Sequence, residues 1–193
     1  LGGPPVKPYE LEASFKPTKR DSGSGLYRRS LYTYWKRTSP APAMMTLDAA
    51  KRDVCRVRRE RTSSPLQAYV LLTGPPFVEA ARAMAIKLLD QHHSTLAQSI
   101  DGHDVDANGG SARVLASAFR QLTSRSLSPV ELETVMELYA SQREYFQTNP
   151  DRAREYLSVG ESITPDRFDA SILAATSVVI GTLMNFDESM MKR

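Results

Sequence analysis

Cysteine is nearly absent. Cys55 is the single one among 193 residues, so no disulfide can form within the chain. A lone cysteine reads either as a small buried hydrophobe or as a ligand, reactive thiol or intermolecular bridge. Histidine is scarce too. His92, His93 and His103 do not fall at zinc-ligand spacing, and Cys55 is far from them in sequence. No apolar run approaches the roughly 20 residues that a bilayer-spanning helix needs. The longest stretch, Ile172 to Met184, is interrupted by Thr176, Ser177, Gly181 and Thr182. Charge of one sign is also in short supply: 25 basic and 22 acidic side chains leave +3, with an isoelectric point near 9.0. That is too weak a balance to argue for nucleic acid. The common signatures of chemistry are missing as well. There is no Walker loop, no Gly-rich dinucleotide fingerprint, no nucleophile elbow and no Cys-x-x-Cys-His haem attachment. Leu1 stands in place of a methionine and no signal-peptide pattern follows, so the chain is expected to be a piece of a longer protein.

What remains is the composition of a globular protein, 41% hydrophobic and 24% charged, long enough for one domain with its own core. Residues 1–25 carry Gly2-Gly3-Pro4-Pro5, Pro8, Pro17 and Ser22-Gly23-Ser24-Gly25. They read as an extended tail or strap, with Tyr9, Leu11 and Phe15 as its anchors. Residues 26–193 read as one helical domain. Tyr27, Leu31, Tyr34 and Trp35 fall on one face of a 3.6-residue period and predict a helix over 26–37. Met44-Met45-Thr46-Leu47, after Pro40 and Pro42, reads as strand-like or as an extended core plug.

The next helix has a marked start. Ser64, Pro65 and Gln67 occupy the N-cap, N1 and N3 positions of a capping box, predicting a helix over 65–73 that Gly74-Pro75-Pro76 stops. Further helices are predicted over 76–91, 111–125, 129–147 and 150–158, separated by a polar loop over 92–110. The helix from 129 opens on a second capping box, Ser128 with Glu131. Thr164-Pro165-Asp166 predicts the start of the last helix, whose stripe of Phe168, Ile172, Ala175, Val179, Leu183, Phe186 and Met190 suits a central packing element. The fold class is all-α: a single-core bundle of about six or seven helices behind an extended N-terminal tail.

Two constellations invite a chemical reading. Asp104-x-Asp106-x-Asn108-Gly109 copies the first half of an EF-hand loop, but Leu115 stands where its bidentate glutamate is needed. The expectation is weak calcium binding or none, and no metal site elsewhere. The second is basic. Arg52, Arg56, Arg58, Arg59 and Arg61 stand against Asp53 and Glu60 just before a helix N-terminus. Such arginines either bind an anion or a partner, or pair with carboxylates such as Glu79, Asp187 or Glu188 and lock the fold. The candidate binding residues are Arg58, Arg59, Glu60 and Arg61, with Arg28, Arg29, Tyr32 and Trp35 as an aromatic and cationic neighbourhood able to stack on sugars or bases.

Four blocks carry a resemblance: Tyr27-Arg28-Arg29-Ser30-Leu31-Tyr32-Thr33-Tyr34-Trp35-Lys36-Arg37-Thr38, Met44-Met45-Thr46-Leu47-Asp48-Ala49, Val57 to Ala68, and Phe77-Val78-Glu79-Ala80-Ala81-Arg82. With Gly3 to Tyr9 and Asn185-Phe186-Asp187-Glu188, they make the chain resemble the planctomycete PSD-one family, the domain of unknown function 1553. Ser63 stands where that family usually has Asn, and Leu47 and Tyr34 where Phe is common. The resemblance implies the C-terminal domain of a large exported protein, extracytoplasmic (periplasmic or at the cell surface). The upstream part would hold another uncharacterised domain and often a cytochrome-c-like module. Any haem would sit there, with no cofactor in this fragment. It supplies no catalytic residues. The expected function is scaffolding or recognition by a non-catalytic module. Its expected partners are the upstream domain of the same polypeptide and, beyond it, another cell-surface protein or a carbohydrate, with nucleic acid disfavoured. The alternative is an enzyme half-site in which Arg58, Arg59, Glu60, Arg61 and Cys55 complete a pocket acting on an anionic saccharide or in redox chemistry.

Overall fold

The computed structural model describes residues 3–9, 19–36, 40–50, 55, 57–58, 62–97 and 107–190, and of 93–97 and 107–109 the backbone alone. The described residues are all-α. Eight helices follow in order: α1 (Pro42–Thr46), α2 (Pro65–Thr73), α3 (Pro75–Ala97), α4 (Ala107–Thr123), α5 (Pro129–Thr148), α6 (Pro150–Leu157), α7 (Ala170–Met184) and α8 (Asp187–Met190). The chain divides into two compact units, Leu1–Val70 and Leu71–Arg193.

The second unit is built around α7. Leu173, Ala174, Ala175, Thr176, Ser177, Val179, Ile180 and Leu183 are all buried, so the helix is enclosed nearly all round rather than along the one predicted stripe. It packs on α3, α4, α5 and α6. Small side chains permit this: Ala81 and Ala85 of α3 and Ala174 and Ala175 of α7 are fully buried. Two of its buried hydroxyls bond within the helix itself. Thr176 Oγ1 donates to the Ile172 carbonyl at 2.7 Å and Ser177 Oγ to the Leu173 carbonyl at 2.6 Å. Around it lie Leu88 and Leu89, Val114, Leu115, Ala118 and Phe119, Tyr139 and Phe146, and Ala153 and Leu157, one set from each surrounding helix.

α7 begins later than the Thr164-Pro165-Asp166 pattern predicts. Asp169 is the true cap, its Oδ1 accepting from the amides of Ser171 at 2.9 Å and Ile172 at 3.1 Å. The Thr164 hydroxyl instead donates to the Leu157 carbonyl at 2.9 Å, tying the connection back to the end of α6. The Ser171 hydroxyl bond and the two amides hold the Asp169 carboxyl below its usual range. The polar loop is shorter than predicted, because α3 runs on to Ala97 and α4 starts at Ala107.

The first unit is irregular. Where the aromatic spacing predicts a helix over 26–37, the chain makes two 3-10 turns, Gly23–Tyr27 and Ser30–Tyr32. It then runs extended beside Val6 in a single parallel bridge to Thr33. The Val6 amide donates to the Tyr32 carbonyl at 2.8 Å and the Tyr34 amide to the Val6 carbonyl at 2.7 Å. Tyr32, Thr33, Tyr34 and Trp35 are aromatic or β-branched, residue types that favour extended backbone over helix. Arg28 fixes the turn. Its Nη1 donates to the Pro4 carbonyl at 2.8 Å and its guanidinium lies 3.9 Å from the Tyr32 ring centroid. Lys7 and Asp21 close the strap, with the Lys7 amide donating to Asp21 Oδ2 and the Asp21 amide to the Lys7 carbonyl, both at 2.8 Å. Met44 to Thr46, read as strand-like or as an extended core plug, belong to α1 instead.

Candidate docking surface

The predicted capping box at α2 is present. Ser64 N–H donates to Gln67 Oε1 at 2.9 Å and Gln67 N–H to Ser64 Oγ at 3.3 Å. Gln67 does more than close a cap. It is buried, and its amide nitrogen reaches the Thr46 carbonyl at 2.9 Å, Thr62 Oγ1 at 2.8 Å and Asp48 Oδ2 at 3.1 Å. Asp48 in turn accepts from the Thr62 amide at 2.7 Å and from the Thr62 hydroxyl. To do so Asp48 holds a left-handed backbone, φ 59°, which Asp tolerates better than most residues.

Asp48, Thr62 and Gln67 thus form a clasp. It joins Thr46 and Asp48 of the block Met44–Ala49 to Thr62 and Gln67 of the block Val57–Ala68. Sequence reasoning picked out both blocks and missed the side chain that links them. The signal was Asp48 just after a short apolar run, ahead of a capping glutamine with two spare donors.

Of the candidate binding residues, Arg58 is exposed, and so is Arg29, at the start of the second 3-10 turn. Arg59, Glu60 and Arg61 lie outside the described residues. The Arg28 guanidinium lies over the Tyr32 ring and bonds the Pro4 carbonyl. Trp35 is half-buried. Cys55 is an exposed free thiol, against the buried reading. Two of the carboxylates proposed to lock the arginine run have partners within the second unit. Glu79 accepts from Glu161 N–H and Ser162 N–H, and Glu188 pairs with Arg125 at 2.6 Å. Asp104 and Asp106 lie outside the described residues, while Asn108 falls in the first turn of α4.

Among the described residues of the unit Leu1–Val70, only Val6, Ala41 and Gln67 are buried. Tyr27, Leu31, Val57, Leu66 and Tyr69 are exposed, Leu31 at 74%. Charge is concentrated here as well. Fourteen basic and six acidic residues give this unit +8, while eleven basic and sixteen acidic give the other −5, an asymmetry hidden in the overall +3.

The second unit holds a cavity of about 430 Å³ between the end of α6 and the start of α7, lined by Leu157, Ser162, Thr164, Phe168 and Leu173 among others. Its wall is fixed from beneath by Arg82, which is fully buried. Nη1 donates to the carbonyls of Leu157 and Val159, and Nη2 to the carbonyl and hydroxyl of Ser162 at 3.0 and 2.7 Å. Nearby burial pushes the Tyr156 hydroxyl up to about 12, the positive Arg82 acting in the opposite sense. The Phe77–Arg82 block is therefore explained by structure: Glu79 and Arg82 hold a turn.

No curated protein and no solved structure matches the chain. The profile of one family matches residues 1–139, which takes in the whole first unit and α3, α4 and the first half of α5. The chain belongs to that family, PSD1, a protein family of unknown function (DUF1553).

Proposed function

We propose that the chain is a non-catalytic docking module of a larger extracytoplasmic protein, and that its basic unit is the docking face. One observation carries this. A unit of 70 residues with a charge of +8 buries, among its described residues, only Val6, Ala41 and Gln67. Ordering a chain costs roughly 1–2 kcal/mol of backbone entropy per residue, and burial of apolar surface is what normally offsets it. Exposed Tyr27, Leu31, Val57 and Leu66 are the surface that a partner would cover. The upstream domain of the same polypeptide is the first such partner; a cell-surface protein or carbohydrate is the second.

The test uses the upstream region of the parent protein, expressed separately, and this chain with Arg58→Ala and Arg59→Ala. Unchanged helix content by circular dichroism shows that folding survives. Capture weakened about tenfold or more is the expected result. Capture as strong as that of the unaltered chain contradicts the reading.

A second reading is a half-site acting on an anionic saccharide or in redox chemistry. It is favoured by one observation, the exposed Cys55 thiol three residues before the exposed Arg58. Turnover by the full-length parent that Cys55→Ser abolishes is its test.

A further inference from the structure

We propose that the basic unit takes an acidic, amphipathic polypeptide: carboxylates for its exposed arginines and apolar side chains for its exposed hydrophobes. This rests on the docking reading and names the chemistry of the partner.

Two exposed arginines, Arg29 and Arg58, each have an exposed apolar residue within two positions in the sequence. Arg29 lies between Tyr27, 56% exposed, and Leu31, 74% exposed. Arg58 follows Val57, whose side chain is fully in solvent. Leu66 and Tyr69, three residues apart, share one side of α2 and are 59% and 64% exposed. The clasp of Asp48, Thr62 and Gln67 ties Asp48 and Thr62 to the first turn of α2, which also carries Leu66.

This pattern separates protein from other anionic partners. A nucleic acid or a sulfated polysaccharide meets a surface of arginines and aromatic rings, because phosphates and sulfates take the cations and bases or sugar faces take the rings. Leu31, Val57 and Leu66 offer such a ligand nothing, since aliphatic side chains neither stack on bases nor pair with anions. Protein interfaces use both kinds of group together: apolar anchors at the centre and arginines around them. The net +8 sets the sign of the partner, and the aliphatics set its class.

The experiment titrates the full chain, by fluorescence anisotropy at about 0.15 M salt, with three labelled probes. One is a helical peptide of about 20 residues with a leucine stripe flanked by glutamates. The second is poly-glutamate of equal charge, and the third single-stranded DNA of equal charge. The amphipathic peptide is expected to bind about tenfold or more tighter than the other two. Arg29→Glu with Arg58→Glu is expected to weaken it by at least that factor. Leu31→Ser with Leu66→Ser is expected to lower it to the poly-glutamate level while leaving poly-glutamate unaffected. All four positions are exposed, and circular dichroism checks that each variant keeps its fold. Equal affinity for all three probes, no binding of the peptide, or binding indifferent to the leucine changes overturns the proposal. If the peptide fails while capture of the upstream region still depends on Arg58 and Arg59, the docking reading stands and the acidic amphipathic partner falls.

Discussion

Glu79 and Arg82, one turn apart on α3, hold the same turn of chain by its opposite polar groups. Glu79 Oε1 accepts from the amides of Glu161 at 3.1 Å and Ser162 at 2.6 Å, while the Arg82 guanidinium donates to the carbonyls of Leu157, Val159 and Ser162. The two side chains are 3.8 Å apart, close enough to attract each other but outside hydrogen-bond range. Each charge is balanced mainly by the backbone of residues 157–162.

Removing the guanidinium leaves the carbonyls of Leu157, Val159 and Ser162 without their donor and the buried Glu79 carboxylate without its neighbouring positive charge. Arg82→Ala is expected to destabilise the second unit by about 3–5 kcal/mol in urea unfolding. Arg82→Lys supplies the charge but not the planar fork, so it should recover less than half of that loss. A lysine variant as stable as the parent would show that charge, not geometry, holds the turn.

Gly160 sits inside this turn with φ +94°, and a Cβ there would come 2.5 Å from the Glu79 carboxylate. Gly160→Ala is expected to cost about 1–3 kcal/mol in the same assay, from backbone strain and displacement of Glu79 together. Combining it with Glu79→Ala should remove the second part and make the two changes less than additive.

Arg125 ties α8 to the cap of α5. Its Nη1 and Nη2 grip Glu131 at 2.9 and 2.6 Å, its Nε reaches Glu188 at 2.6 Å, and it lies 4.7 Å from the Phe119 ring centroid. The bond from Arg125, then that from the Ser128 amide, lowers the Glu131 carboxyl to about 2. A lowered folded-state value means that the contribution is complete above the ordinary carboxyl range and is lost as pH falls from about 4.5 through about 2. Titration of the Glu131 side chain by NMR should find a midpoint near 2 in the unaltered chain and a clearly higher one in Arg125→Ala. A midpoint unmoved by that substitution would remove Arg125 as the cause.

Asp48 is expected to hold Thr62 against the first turn of α2. Asp48→Ala removes the acceptor for the Thr62 amide and leaves an alanine in a left-handed conformation, so Thr62 amide exchange should rise about tenfold or more. Asp48→Asn keeps an acceptor and tolerates that backbone, and should lie between the two.

What the sequence made legible was local. Ser64 with Gln67 and Ser128 with Glu131 announce their caps within four residues, and both boxes form. Val114, Leu115, Ala118 and Phe119 show the inward face of α4 by period alone. Two local signals misled. The aromatics of 27–35 carry a helical period, yet pairing with Val6 and stacking of Arg28 on Tyr32 set the backbone there. Thr164-Pro165 imitates a cap, yet its threonine bonds backward to Leu157. The functions of Glu79, Arg82 and Asp48 were illegible because their partners lie 14 to 83 residues away. The candidate site itself was legible only as composition: arginines and aromatics were visible, but not their contacts. Arg28 stacks on Tyr32 and bonds Pro4, whereas Arg29 and Arg58 are exposed.

The docking claim is tested most directly by amide hydrogen exchange in the full-length parent compared with this chain alone. The account predicts slower exchange in the parent at residues 27–34 and 57–70, with α3 and α7 unchanged. Identical exchange of the basic unit in both settings would contradict it.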